Sequence, residues 1–332
     1  MIVPLAAWLH TIDPYAVQLW EGGPIRWYGL SYLAGFLIAF LLVQRVARVG
    51  VSTLDPRRAG DLIITFAISI VVGGRLGYVL FYKPHLLTEF SGSLPFWGAL
   101  DIAGGGMSSH GGMIGGLIGA WWFSFRHQQP TLHTFDLLAF AAPLGLFCGR
   151  VANFINGELI GRESAKDFPL AVQFPQEVFE TQDMYDAMTT AYGRELPRTW
   201  LDMLQSGNEA LQQAAMAVLP TRHPSQLYAA TLEGLVVFAV LAWLWMKPRR
   251  AGTMAGSFGI AYAVMRVINE NFRQPDAHLG LQALGLSRGQ WLSIPLLLAG
   301  VAIVVWAVVR KTPAMGGWRR GEWTRPVTPA SD

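Results

Sequence analysis

Three residues spaced by four, Tyr262, Arg266 and Glu270, would set a phenol, a guanidinium and a carboxylate along one face of a helix. Arg150 and Asn153, three apart, share a side of another helix, and Glu158 closes that segment. Arg75 and His110 interrupt two further apolar runs. A charged side chain at the centre of a membrane helix costs at least about 2.5–3.5 kcal/mol, so each of these groups needs a partner or an aqueous cavity. Two guanidiniums facing one cavity suit a phosphate, because arginine offers paired planar donors and keeps its charge in a low dielectric. An imidazole beside them can take a proton from a thiol or hydroxyl near neutral pH. The chemistry this points to is recognition of an anionic lipid headgroup. The plainer alternative for any one of these residues is an interhelical polar link or a snorkelling side chain.

Other chemistries find less support. The seven histidines show no metal-ligand spacing, and neither a metal nor a cofactor is expected. Gly111, Gly112, Gly115, Gly116 and Gly119 form overlapping GxxxG intervals, which predict close helix packing and leave room for a lipid chain or headgroup beside His110. Lacking a following Lys-Ser or Lys-Thr, they are not a nucleotide-binding loop. Ser108 and Ser109 beside His110 raise an intramembrane serine protease, but no GxSxG-like nucleophile turn is present. The single cysteine, Cys148, lies in an apolar stretch and reads as packing.

The elements that must position these groups are membrane helices. Of 332 residues, 52% are hydrophobic and 14% charged, against roughly 25% charged in a soluble domain. Apolar runs predict spans near residues 28–44, 61–82, 105–125, 135–155, 227–246, 254–272 and 290–309. Thirteen of the 25 Lys and Arg residues fall in one alternating set of flanks, from Arg45 to Arg325. Basic flanks stay cytoplasmic, so the N-terminus should face outward and the C-terminus inward. The expected fold is therefore an all-α integral membrane protein of about seven spans. Its divisions are a periplasmic segment 1–27, helices within 28–155 with a periplasmic loop 83–104, a periplasmic head 156–226, helices within 227–310 and a cytoplasmic tail 311–332. The first 27 residues lack a basic start followed by an apolar run, so no targeting segment is expected there. Within the head, residues 199–219 predict one or two short helices punctuated by Pro197 and Pro220. By this topology His110, Arg150 and Arg266 fall toward the outer halves of their helices and are expected to converge on one cavity.

Longer motifs now become recognisable. Gly149-Arg150-Val151-Ala152-Asn153-Phe154-Ile155-Asn156-Gly157-Glu158, continuing to Gly161-Arg162, resembles the signature of bacterial prolipoprotein diacylglyceryl transferases. Arg26-Trp27-Tyr28-Gly29-Leu30, Gly74-Arg75-Leu76-Gly77-Tyr78, the stretch from Met107 to Gly112, His223-Pro224-Ser225-Gln226-Leu227-Tyr228 and Phe272-Arg273-Gln274-Pro275-Asp276 agree in order. Ala229 departs from the glutamate many relatives carry there, and the head between about 176 and 218 is longer than usual.

The resemblance implies an inner-membrane enzyme that acts at the outer face of the cytoplasmic membrane. Its partners would be phosphatidylglycerol, membrane lipids and the lipobox of a secreted prolipoprotein, with no nucleic acid. Tyr28, His110, Arg150, Asn153, Glu158, Gly161, Tyr262, Arg266 and Glu270 match positions the family needs, with Arg150 and Arg266 assigned to the phosphate. His110 or Tyr28 would take the thiol proton, and Glu158 and Glu270 would orient the arginines. A lipid or solute transporter is the alternative, but no repeated halves are evident.

Overall fold

A computed structural model describes residues 7–18, 24–92, 95–102, 105–275, 280 and 282–317. Asp276, His278, Arg319, Arg320 and Arg325 of the sequence reading lie outside this set. The described chain is mostly helical. The long helices are α1 (Trp27–Arg48), α2 (Ala59–Phe81), α3 (Ser109–Arg126) and α4 (Thr131–Asn156). Short helices α5 (Gln182–Tyr192), α6 (Trp200–Gln205) and α7 (Glu209–Val218) follow. Then come α8 (Ser225–Leu244), α9 (Thr253–Asn269) and α10 (Arg288–Val309). Each of the seven expected spans overlaps a helix. Five are long and apolar enough to cross a bilayer: α1, α2, α4, α8 and α10, with α2 counted from Pro56. Glycine-rich α3 and the 17-residue α9 fall short of that standard by composition or length. Outward-facing Leu33, Leu37 and Leu41 on α1 and Leu298, Val305 and Val309 on α10 are more than half exposed, which suits a hydrocarbon surround.

Two compact units partition the chain. One comprises the described residues up to Gly35 with Ala142–Val240 and Phe258–Val301; the other comprises Phe36–Ala141, Leu241–Ser257 and the described residues from Ala302.

In the second unit the α3 glycines receive α2. A Cβ on Gly73 would lie 2.7 Å from the Gly115 Cα, and one on Gly77 would lie 2.9 Å from the Gly111 Cα. Backbone contact at this range explains the run of small residues, and it fills the room that the sequence reading reserved for lipid. Ser108 is the N-cap of α3, accepting from the Gly111 amide at 3.2 Å, which is a structural role for a serine beside His110. Arg75 is buried and donates to the carbonyls of Gly98, Ala99, Gly105 and Gly106 at 2.7–3.1 Å, so it ties down the loop before α3. Asp136 of α4 accepts from the amides of Gly252 and Ala255 at 2.7 and 2.8 Å, capping the start of α9.

The first unit carries the head. Met188, Trp200, Leu204, Leu211 and Ala215 form a core from α5, α6 and α7, into which Leu9 also packs. Helices α6 and α7 occupy the region foreseen, between Pro197 and Pro220, whereas α5 was not foreseen. It starts at Thr181, whose hydroxyl accepts from the Met184 amide, and stops at Gly193 with φ +75°. Trp8–Leu9 pairs in parallel with Val172–Gln173, a ladder absent from an all-α expectation. The Glu177 carboxylate and the Arg222 guanidinium pair inside the head. Burial raises the Glu177 pKa, against the lowering effect of Arg222. His10 is enclosed there too: its Nε2 lies 2.8 Å from the Phe154 carbonyl oxygen, and burial pulls its pKa down to about 4.

Candidate functional site

All the sequence-predicted site residues except His110 belong to the first unit. Helix α4 delivers two of them. Its last turns place Arg150 and Asn153 on one side, and Gly157, at φ +66°, ends the helix in the left-handed conformation that glycine tolerates. Asn153 donates to Glu158 Oε1 at 2.7 Å, and Asn156 reaches the same oxygen at 3.5 Å. The Tyr28 hydroxyl lies beside Asn153 and stands 3.3 Å from the Tyr32 hydroxyl. Tyr28, Asn153 and Glu158 therefore form one polar group at the end of α4.

Arg150 faces a different partner. Its Nε and Nη2 donate to Glu233 Oε2 at 3.0 and 2.7 Å. Arg266 Nη1 donates to the other oxygen, Glu233 Oε1, at 3.0 Å, and Asn269 Nδ2 approaches that oxygen at 3.4 Å. Arg266 also pairs with Glu270 Oε1 at 2.5 Å, and the Ser287 hydroxyl donates to Glu270 Oε2 at 2.5 Å. Tyr262, one turn before Arg266, sets its hydroxyl beside the Arg150 guanidinium. The face of α9 read from the four-residue spacing is thus assembled around α4. Two guanidiniums, brought from helices distant in sequence, share one carboxylate.

That carboxylate was not found by sequence reasoning. Glu233 is fully buried and lies in a π-helical turn, Ala230–Val236, which widens α8. Such turns recur at functional sites because they re-aim side chains. The available signal was an acidic residue alone in an apolar run, Thr231-Leu232-Glu233-Gly234-Leu235. Its consequence corrects one assignment: Glu233 and Glu270 hold the arginines, while Glu158 holds Asn153.

Gly161 is explained by packing. A Cβ there would collide with the His223 carbonyl and come within 3.0 Å of the Phe272 carbonyl oxygen. Around it Arg162 donates to Phe272 at 2.8 Å, His223 donates to Arg162 at 3.0 Å and Gln274 donates to Ile160 at 3.2 Å, which knits three motif segments together. His110 begins α3 in the second unit, partly exposed, next to the Ser108 cap.

Beside the arginine pair lies a small recess lined by Arg150, Asn153, Leu159, Ser225, Gln226, Ala229, Arg266, Asn269 and Arg273. Its lining contains guanidiniums and amides but no carboxylate, since Glu233 sits behind it. The chemistry offered is binding of an anion by fixed N–H donors. Among the described residues no cluster of His, Cys, Asp or Glu could hold a metal ion.

Comparison with known proteins gives a consistent result. The family model described as prolipoprotein diacylglyceryl transferase matches residues 14–306. A phosphatidylglycerol–prolipoprotein diacylglyceryl transferase of Bdellovibrio bacteriovorus is 42% identical, over 94% of this chain and 97% of its own. Proteins of the same description from Polaromonas naphthalenivorans and Neisseria gonorrhoeae are 40% and 41% identical, over 89% and 88% of this chain and 95% and 94% of theirs.

Proposed function

Because the chain belongs to the prolipoprotein diacylglyceryl transferase family, we propose that it moves the diacylglyceryl group of phosphatidylglycerol onto the lipobox cysteine of prolipoproteins and releases glycerol 1-phosphate. The observation that carries the reading, beside the family match, is the fixing of Arg150 and Arg266 on Glu233 at the edge of a carboxylate-free recess. The same reading takes the chain as an inner-membrane protein of seven crossings, N-terminus out, with the head and the site toward the periplasm.

In this mechanism the phosphate sits against Arg150 and Arg266. Glu233 and Glu270 occupy only part of each guanidinium, and the remaining N–H groups receive the lipid. The thiol sulfur attacks the glyceryl carbon that bears the phosphate ester; the S–C bond forms as the C–O bond breaks, and the electron pair leaves on the phosphate oxygen. The arginines, held before the charge develops, stabilise it, an effect of roughly 3–4 kcal/mol per well-placed donor. His110 or Tyr28 helps remove the thiol proton, the imidazole by accepting it and the Tyr28 hydroxyl by relaying it toward the nearby Glu158 carboxylate, since the thiolate is the stronger nucleophile. Tyr28 is favoured by its place beside Asn153 and Glu158, and His110 by imidazole chemistry and the family resemblance.

Incubating the purified protein with phosphatidylglycerol and a lipobox peptide tests this. Mass spectrometry should find the cysteine carrying a diacylglyceryl thioether. An unmodified thiol, with lipid moved across vesicles instead, would support a transporter.

A further inference from the structure

Two buried amides in the recess are held so that their oxygens are left without a donor. Gln226 is 2% exposed, and its Nε2 donates to the Glu158 carbonyl at 2.7 Å. That bond fixes which end of the amide is nitrogen. Its Oε1 has no hydrogen-bond partner among the described residues. Asn269, 1% exposed, turns its Nδ2 toward Glu233 and likewise leaves a buried Oδ1 without one. A buried acceptor lacking a donor costs about 1–3 kcal/mol, so two in one recess mark a place built for donors.

The recess also constrains what those donors belong to. Arg150 and Arg266 line it and favour an anion, and they repel an ammonium such as that of an ethanolamine headgroup. A choline headgroup has neither N–H nor O–H. A glycerol headgroup is uncharged and carries two free hydroxyls beyond the phosphate. Resting on the phosphatidylglycerol reading above, we propose that Gln226 and Asn269 accept hydrogen bonds from the headgroup glycerol hydroxyls while Arg150 and Arg266 hold the phosphate, so that this recess selects the lipid.

The probe is phosphatidylpropanol, which matches phosphatidylglycerol in charge and chain length but lacks both hydroxyls. Its leaving group, propyl phosphate, departs with similar ease, so the comparison isolates the headgroup contact. The purified full chain should use phosphatidylglycerol at least about tenfold more efficiently in kcat/KM. In Gln226→Met and Asn269→Leu that preference should collapse toward unity. Equal use of both lipids by the native protein overturns the proposal, as does a variant that slows both lipids alike and keeps the ratio, because the amide would then be structural. The native comparison alone decides if a variant fails to fold. Absence of thioether product from either lipid would instead overturn the transferase reading.

Discussion

Replacing Glu233 by glutamine keeps the shape of the side chain and removes its charge, so the effect can be worked from the bonds in place. Three guanidinium N–H bonds of 2.7–3.0 Å converge on this fully buried carboxylate. Glutamine has one acceptor oxygen, and its NH2 must face one of the two arginines. Arg266 retains Glu270 at 2.5 Å. Both carboxylate bonds of Arg150 go to Glu233, so the loss falls mainly on Arg150. Removing one member of a buried pair costs about 3–5 kcal/mol, and because the Arg150 side chain keeps 17% of its surface exposed, the lower end, about 3 kcal/mol, applies. A displaced Arg150 no longer meets the departing phosphate, so transfer should fall by about 10²–10³. The assays are thermal unfolding of the detergent-solubilised protein and the rate of thioether formation on a lipobox peptide. Glu233→Asp keeps the charge one methylene short and should recover part of the stability but less of the rate. An unchanged unfolding midpoint with a rate within about threefold of native would refute the idea that Glu233 sets the arginine pair.

Other consequences are separable. Gly161→Ala drives a methyl into the His223 and Phe272 carbonyls and should cost about 2–3 kcal/mol by forcing the crossing segments apart, seen as a lowered unfolding midpoint. Arg75→Ala strips a buried guanidinium from four carbonyls; the loop before α3 should become open to protease while the helices remain. His10, neutral and buried, has its pKa lowered, so the unfolded chain binds the extra proton: stability is complete above about pH 6.5 and falls as pH drops toward 4, by about 3 kcal/mol at most. Hydrogen exchange in the head across that pH range should show the loss in the native chain and not in His10→Phe.

Much of the helical framework was legible because lipid imposes long apolar runs and because Gly157, Pro197 and Pro220 punctuate the ends of helices. Spacing alone disclosed that Tyr262, Arg266 and Glu270 share a face, and that Arg150 and Asn153 do. What spacing could not disclose was partnership between helices. Glu233 stands alone in an apolar run, and no local rule announces the π-helical turn that aims it. Arg75 read as a candidate beside His110, yet backbone carbonyls can satisfy a guanidinium as well as an anion can, and the loop supplying them is irregular. The requirement for glycine at 161 came through a resemblance; its physical cause, two carbonyls from remote segments, needed the folded chain. Helix α5 is short and polar overall and was passed over, although its stripe of Met184, Tyr185, Met188 and Tyr192, its cap at Thr181 and its stop at Gly193 are local signals that could have found it.

The central claim is that Arg150, fixed by Glu233, receives the phosphate that sulfur displaces. A single-turnover experiment with headgroup-labelled phosphatidylglycerol and a lipobox peptide tests it most directly. The native protein should release one labelled glycerol phosphate for each thioether formed, and Arg150→Ala, still inserted in membranes, should form neither at a measurable rate. Native turnover by Arg150→Ala, or a modified peptide without release of glycerol phosphate, would contradict the account.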